Sequence, residues 1–462
     1  MRGAGWLCGL LLSGILLACA QSAGPAAANG ATPGTPQASA AELPRDCVWL
    51  LRSDPNLLNI LYPDRAATYW VAALPIPPGG ELWLEGRYPH ARYASFNLYN
   101  PRLEPIDALA DVEIAPQPGA VQPFTVGARR DAEARDYRVR VIAAVPPDDP
   151  AQREPNTLYS YVAAGEQRLP SPLAVAIYRV YVEDDGYDLS GGVGLPQVVL
   201  PLPGGAELRG SEACSALERL PTLPAAELLN GLDPAVETQP NLAAFPELRW
   251  LKFFDLLSSQ SHRLDAVPVL GTLLSGTLGQ STSNSGGFAS NVHNSYMTAS
   301  LSQTFGEVGV MLARMPSTPQ THAGALVMGD GQLRYWSLCS NEVNSQRYID
   351  CLYDEQVRRV AGERAIILVS REQDRPANAV AECGVNWLNW GPFTNSLLIY
   401  RHMLPRADFA EAIQNIPGPS GAHEREMLGA YYPYGRHYRK AEFEQLGCPV
   451  NPDALAAAVG AP

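Results

Sequence analysis

The sequence predicts a mainly β protein: two duplicated jelly-roll-like β-sandwich domains with a helical insertion between them. Three observations lead there. A strand is written twice, as Arg92-Tyr93-Ala94-Ser95-Phe96-Asn97-Leu98-Tyr99 and as Arg334-Tyr335-Trp336-Ser337-Leu338-Cys339-Ser340. Each copy is followed by further matches in one order: Ile106-Asp107-Ala108-Leu109-Ala110-Asp111 with Ile349-Asp350-Cys351-Leu352-Tyr353-Asp354, Asn156-Thr157-Leu158 with Asn386-Trp387-Leu388, and Ile177-Tyr178-Arg179 with Ile399-Tyr400-Arg401. Such ordered self-similarity marks an internal duplication. Finally, 41 prolines are scattered along the chain, which suits many short strands between punctuated turns better than long helices.

The length of 462 residues allows two or three domains, and the ordinary hydrophobic content lets each half bury a core. The net charge of −13 argues against a nucleic-acid partner. Residues 1–20 read as a signal peptide: Arg2 precedes an apolar run, 7–17, that is too short to span a bilayer. Leu16-Leu17-Ala18-Cys19 fits a lipobox, so lipidation of Cys19 and a membrane anchor are expected, with plain secretion after Ala18-Cys19-Ala20 as the alternative. Residues 21–45, rich in Ala, Gly, Pro, Ser and Thr, read as a flexible linker. Export leaves Cys47, Cys214, Cys339, Cys351, Cys383 and Cys448, an even number in an oxidising compartment, and so predicts disulfides. None has zinc-site spacing, and no metal or cofactor is expected.

Residues 46–214 hold the first sandwich, with strands at 69–74, 81–87, the Arg92 and Asp107 segments, 137–142, 173–182 and 197–202. Residues 215–290 change character, with helical spacing at 225–229 and 246–257 and a Ser/Thr/Asn/Gly loop at 277–287. Residues 291–448 hold the second sandwich, with strands at 306–315, 364–370 and 397–403, the Arg334 and Asp350 segments, and short helices at 407–414 and 441–446. Residues 449–462 read as a flexible tail.

Cys339 and Cys351 lie symmetrically about Ser345, which sets a hairpin register joining them, with Leu338 opposite Leu352. Transferred to the first copy, the register puts Asn97 opposite Ala108 and Phe96 opposite Leu109. Arg92 then neighbours Asp111 diagonally and Arg334 neighbours Asp354, which reads as one structural ion pair inside each hairpin. The remaining cysteines are assigned as Cys47–Cys214 and Cys383–Cys448.

Function is sought where the copies differ. Asn386, Trp387, Asn389 and Trp390 interleave indoles with amides, as a surface that stacks on a ring and hydrogen-bonds its edge would. Arg401 and His402 follow, and Tyr434, Arg436 and His437 pack aromatics with positive charge. These nine residues are the candidate ligand site. There is no G-x-S-x-G elbow, H-E-x-x-H, P-loop or dinucleotide fingerprint, so no catalytic residue is named. Glu183-Asp184-Asp185-Gly186-Tyr187-Asp188 lacks the downstream Glu of a calcium loop and reads as a solvated turn.

The segments Arg334 to Leu338, Asn386 to Leu388, Gly391 to Phe393 and Leu397 to Pro405, with Asn294/Tyr296 and Tyr431-Tyr432-Pro433, resemble an uncharacterised exported bacterial family, a domain of unknown function whose members pair jelly-roll-type sandwiches. The resemblance implies the fold and export and supplies no catalytic residues. The expected function is thus a lipid-anchored cell-envelope protein binding a glycan or small cyclic ligand through an aromatic cleft in the second sandwich. The alternatives are an extracellular hydrolase or lyase and a structural or assembly component, and an oligomer is compatible with all three. The anchor is checked by Cys19→Ala, which should move the mature protein from the detergent to the aqueous phase; retention in detergent would refute lipidation.

Overall fold

The computed structural model describes residues 48–100, 103–165, 167–217, 241–253, 289–418 and 420–462. The signal peptide, linker, Cys47 and the expected features at 225–229 and 277–287 lie outside these residues. The first half contains β1 (Trp49–Ser53), β2 (Ala67–Pro75), β3 (Glu81–Arg87), β4 (Ala91–Tyr99), β5 (Pro105–Ala110), β6 (Asp136–Ile142), β7 (Thr157–Tyr159), β8 (Tyr161–Ala164), β9 (Gln167–Pro170), β10 (Leu173–Glu183), β11 (Gln197–Pro201) and β12 (Glu207–Arg209), then helix α1 (Gly210–Ala216). The second contains β13 (Leu251–Phe253), β14 (Asn294–Ser302), β15 (Val308–Arg314), β16 (Leu333–Asn341), β17 (Tyr348–Tyr353), β18 (Arg364–Ser370), β19 (Val385–Asn389), β20 (Asn395–Pro405) and β21 (Tyr434–Tyr438). Helices α2 (Glu424–Leu428), α3 (Lys440–Glu444) and α4 (Pro452–Val459) belong to the second half too.

One sheet of the first half runs β1-β2-β10-β4-β5, and its counterpart in the second runs β13-β14-β20-β16-β17. Two further sheets run β12-β11-β3-β6-β7 and β19-β18-β15-β21, with β7 parallel to β6 and β19 parallel to β18, and β8 and β9 form a separate two-stranded sheet. Within each half the two sheets share one core. In the first, Leu82, Leu84, Val139 and Val141 meet Leu74, Phe96, Leu98 and Tyr178. In the second, Met311, Ile367 and Val369 meet Met297, Trp336, Leu338 and Tyr400. Alternation puts these residues inward.

The long strands β4, β10, β16 and β20 are buried on both faces. Their second face packs on the other sandwich: Tyr93 and Tyr181 cluster with Tyr335, Tyr353 and Met403, and the Tyr181 and Tyr335 rings lie 5.3 Å apart edge-on. The two sandwiches therefore meet sheet to sheet along a buried seam.

The hairpin register is as the sequence predicts. Cys339 pairs with Cys351, Leu338 with Leu352, Asn97 with Ala108, and Phe96 with Leu109. Cys339–Cys351 and Cys383–Cys448 are disulfides. The ion pairs need correction. Asp111 spends one carboxylate oxygen on the Ala94 N–H of its own hairpin (2.8 Å), and Asp354 does the same with the Trp336 N–H (3.2 Å). The other oxygen crosses the seam. Arg334 donates to Asp111 at 3.1 Å, and Arg92 contacts Asp354 and Glu355. The pairs are exchanged between the sandwiches rather than closed inside each hairpin.

Three smaller expectations also change. The segment 246–253 is extended: Leu248, Trp250 and Lys252 are buried on alternate positions, a period of two inside the apparent helical spacing. Residues 407–412 form turns, and only Ile413–Asn415 coils, as a 3-10 turn. The tail folds as α4, capped by Asn451 through its side chain and ended by Gly460 at φ 70°, with Leu455 and Ala456 buried.

The exchange is tested by double-mutant cycles in urea. Arg92 with Asp354 and Arg334 with Asp111 should each show coupling of roughly 0.5–3 kcal/mol, larger than Arg92 with Asp111 or Arg334 with Asp354. Larger coupling inside the hairpins would return the pairs to the register scheme.

Candidate ligand site between the sandwiches

The nine residues chosen from the sequence do not share a surface. Trp390 is fully buried in the second core, while Trp387 packs half-buried on the opposite side of its sheet, Nε1 donating to Ser370 Oγ at 3.0 Å with Arg375 stacked over the ring at 4.3 Å. Strand alternation sends the two indoles, an odd number of residues apart, to opposite faces and so to different cores, Trp390 on the side of Leu388. Asn386 closes a loop, donating to the carbonyls of Arg358 (2.8 Å) and Ile366 (3.0 Å). Asn389 accepts the Gly391 N–H at 2.9 Å. His402 faces the core, where burial lowers its pKa to about 3 and Nδ1 accepts the Ile413 N–H at 3.2 Å. His437 accepts the Ser302 N–H at 3.1 Å through Nε2, and burial holds its pKa below the usual range. Arg436 pairs with Glu442 and lies 4.3 Å over the Tyr438 ring. Tyr434 stands edge-on to Tyr432 at 4.9 Å. Of the nine, only Arg401 enters the seam, so the expected aromatic cleft is not assembled.

The seam itself holds a polar cluster built from both halves. In the Tyr-Arg pairs of β10 and β20, alternation turns Tyr178 and Tyr400 into the cores and Arg179 and Arg401 toward the seam. Arg401 donates to the Tyr62 carbonyl at 2.7 Å, lies 2.9 Å from Cys339 Sγ, and stands 3.7 Å from the Asp64 carboxylate. Asp64 also accepts from Tyr335 (2.7 Å) and Ser337 (2.5 Å), so a residue of the first sandwich organises the second.

Arg179 is 2% exposed. Its Nη2 donates to the Tyr99 hydroxyl at 2.7 Å and the Ala289 carbonyl at 2.6 Å. Its guanidinium lies 5.6 Å from the Tyr69 ring and 5.7 Å from that of Tyr99. Its Nε and Nη1 have no hydrogen-bond partner among the described residues. The Tyr69 and Tyr181 hydroxyls are 3.4 Å apart, and Tyr296 lies under Arg401 at 5.8 Å. Burial raises the pKa of Tyr69 and Tyr181 and pushes Tyr99 up to about 12, so these phenols are neutral at neutral pH. Tyr69 and Tyr296 are the half-exposed members and form the edge of the cluster.

Asp64 and the sulfurs of Cys339 and Cys351 lie within 4.8 Å of one another, the one candidate metal group among the described residues. The two sulfurs are joined as a disulfide and so are not thiolates, and the Arg401 guanidinium beside them opposes a cation.

Arg179 is matched in both copies and so falls outside the differences in which function was sought, and no motif singles out Tyr69, Tyr99, Tyr181 or Asp64. The usable signal was the pair of residues two positions either side, Ile177 and Tyr181, which share the face of Arg179 in a strand of period two: a face that carries apolar residues beside a charge is a second buried surface.

No protein-family model matches the chain, and no curated protein matches it. Among solved structures it is similar to an uncharacterized protein of Burkholderia cenocepacia, at 12% identity over 86% of this chain and 83% of that one, with a TM-score of 0.41. It is similar also to a protein of Vibrio parahaemolyticus, at 10% identity over 78% and 89%, with a TM-score of 0.37.

The separation of the indoles is testable. Trp390→Ala removes a core ring and should cost about 3–5 kcal/mol, read as a drop in urea midpoint, and Trp387→Ala should cost clearly less. Equal, small costs would put both rings on one surface.

Proposed function

We propose that this is an exported cell-envelope binding protein that holds a small ligand in the seam between its two sandwiches. One observation carries the proposal: arginines and tyrosines from both halves converge on a buried seam where two guanidinium nitrogens of Arg179 have no hydrogen-bond partner among the described residues. Buried polar groups are ordinarily satisfied, and an orphan at the meeting of two domains is a common place for a ligand. The Cys339–Cys351 and Cys383–Cys448 disulfides support an oxidising compartment, as export would provide. The ligand is small, because the seam residues are buried or half-buried. A glycan lying on paired indoles fits poorly, since Trp387 and Trp390 pack into separate cores.

A hydrolase or lyase has one observation in its favour. Tyr93 hydroxyl lies 2.8 Å from His293 Nδ1, and His293 Nε2 lies 3.4 Å from Glu113, whose side chain is half-exposed. The chain could carry a proton from the surface to a buried phenol. Burial pushes the Tyr93 pKa above its ordinary value, which works against its ionising as a base.

The seam and the surface of Trp387 are compared as ligand sites by a thermal-shift screen of small molecules and oligosaccharides on the wild-type protein. Hits should be lost in the Tyr69→Ala, Tyr296→Ala variant, which alters the edge of the seam, and kept in Trp387→Ala. Loss in Trp387→Ala with retention in the seam variant would overturn the proposal.

A further inference from the structure

The seam is built with approximate two-fold symmetry, and its charges break it. Arg179 Nη2 donates to the Ala289 carbonyl at 2.6 Å, and Arg401 Nη2 donates to the Tyr62 carbonyl at 2.7 Å. Ala289 and Tyr62 share a left-handed backbone, with φ of 53° and 54°. Two residues after each stands the same kind of capping side chain: Asp64 Oδ1 accepts the Ala66 N–H at 3.1 Å, and Asn291 Oδ1 accepts the His293 N–H at 3.1 Å. Each then reaches a tyrosine on the opposite sandwich. Asp64 accepts from Tyr335 at 2.7 Å, and Asn291 Nδ2 donates to Tyr93 at 3.2 Å. Tyr93 and Tyr335 are the second residues of the duplicated strand. Asp64 and Asn291 therefore occupy equivalent places, one charged and one neutral.

The consequence falls on Arg179. Arg401 has the Asp64 carboxylate 3.7 Å away, whereas no acidic side chain among the described residues forms an ion pair with Arg179. The surrounding phenols contribute dipoles and ring faces, not negative charge. A guanidinium this deeply buried is costly without a counter-charge. The Tyr69 and Tyr181 hydroxyls share a single hydrogen bond, so one proton of that pair is available to an acceptor.

Resting on the seam as the ligand site, we propose that the Arg179 side of the seam binds a small monoanion, halide- or carboxylate-sized, which supplies there the charge that Asp64 supplies to Arg401. One negative charge suffices, because the cluster sets two guanidiniums against one carboxylate. A bulky or doubly charged anion does not match, since Arg179 Nε and Nη1 are themselves buried atoms.

The test titrates sodium chloride, nitrate and acetate into the mature protein, with ionic strength held constant by sodium gluconate, and follows the melting midpoint. The wild-type midpoint should rise saturably, by roughly 3 °C at about ten times the half-saturating concentration. Asn291→Asp installs the missing carboxylate. It should melt higher than wild type in gluconate alone and lose the saturable rise, and Arg179→Met should lose the rise as well. Absence of any saturable rise in wild type overturns the inference without recourse to a variant, and so does a rise that survives in Asn291→Asp or Arg179→Met. Its failure differs from failure of the seam itself. A neutral compound whose binding is lost in Tyr69→Ala, Tyr296→Ala while monoanions have no effect would leave the seam a ligand site and remove only its charge preference.

Discussion

Two arginine–aspartate pairs exchanged across the seam are what the architecture depends on. Each aspartate holds its own strand through one oxygen, by the Ala94 or Trp336 N–H, and meets the arginine of the other sandwich through the second. Burial works against both carboxylates and raises their pKa, and the arginine opposite works the other way. Each charge is desolvated only when the other sandwich arrives with its partner. Docking and pairing are thus linked, because the oxygen that each aspartate does not spend on its own hairpin is met by the arginine of the other half. The geometry ties hairpin register to the relation between domains.

The same constraint explains the composition of the long central strands. A sandwich strand normally alternates apolar and solvated residues. Here β4, β10, β16 and β20 have no solvated face, so the second set of positions is filled by residues suited to a buried but polar surface: Ser95, Asn97 and Arg179 on one side, Ser337, Cys339 and Arg401 on the other. Where the first sandwich has Asn97, which bonds Ser95 and accepts the Val292 N–H across the seam, the second has the Cys339–Cys351 bridge beside Arg401. Both devices occupy the same register position, one by hydrogen bonds and one by a covalent link.

This division also explains what could be read from the chain. Hairpin register is a local property fixed by a symmetric cysteine spacing and by period-two alternation, and so Cys339–Cys351 and Phe96 opposite Leu109 followed from sequence. Partner choice across a sheet face carries no spacing rule, so Arg92 was assigned to Asp111 although its carboxylates are Asp354 and Glu355. The segment 246–253 contained both periods, and burial of Leu248, Trp250 and Lys252 selects the extended one. The C-terminal helix was signalled by Asn451, Pro452 and Gly460, caps outweighed in the reading by an alanine-rich composition. The indoles were the costliest error for function: three residues apart in sequence, they suggest one platform, but that odd spacing on and just beyond β19 puts them on opposite faces and in different cores.

The two copies differ more in the neighbours of their matched residues than in those residues themselves. Arg179 and Arg401 match, and on that ground they look like scaffold. Their environments do not match, because the carboxylate that stands beside Arg401 is contributed by the other half, at a position far away in sequence, and its equivalent is Asn291. A duplicated domain pair that docks face to face places each copy's supporting residues on the opposite copy. Substitution of one supporting residue then changes the chemistry around an unchanged one. Arg179 and Arg401 are such a case: the carboxylate beside Arg401 has no counterpart forming an ion pair with Arg179 among the described residues, and the proposed ligand site rests on that asymmetry.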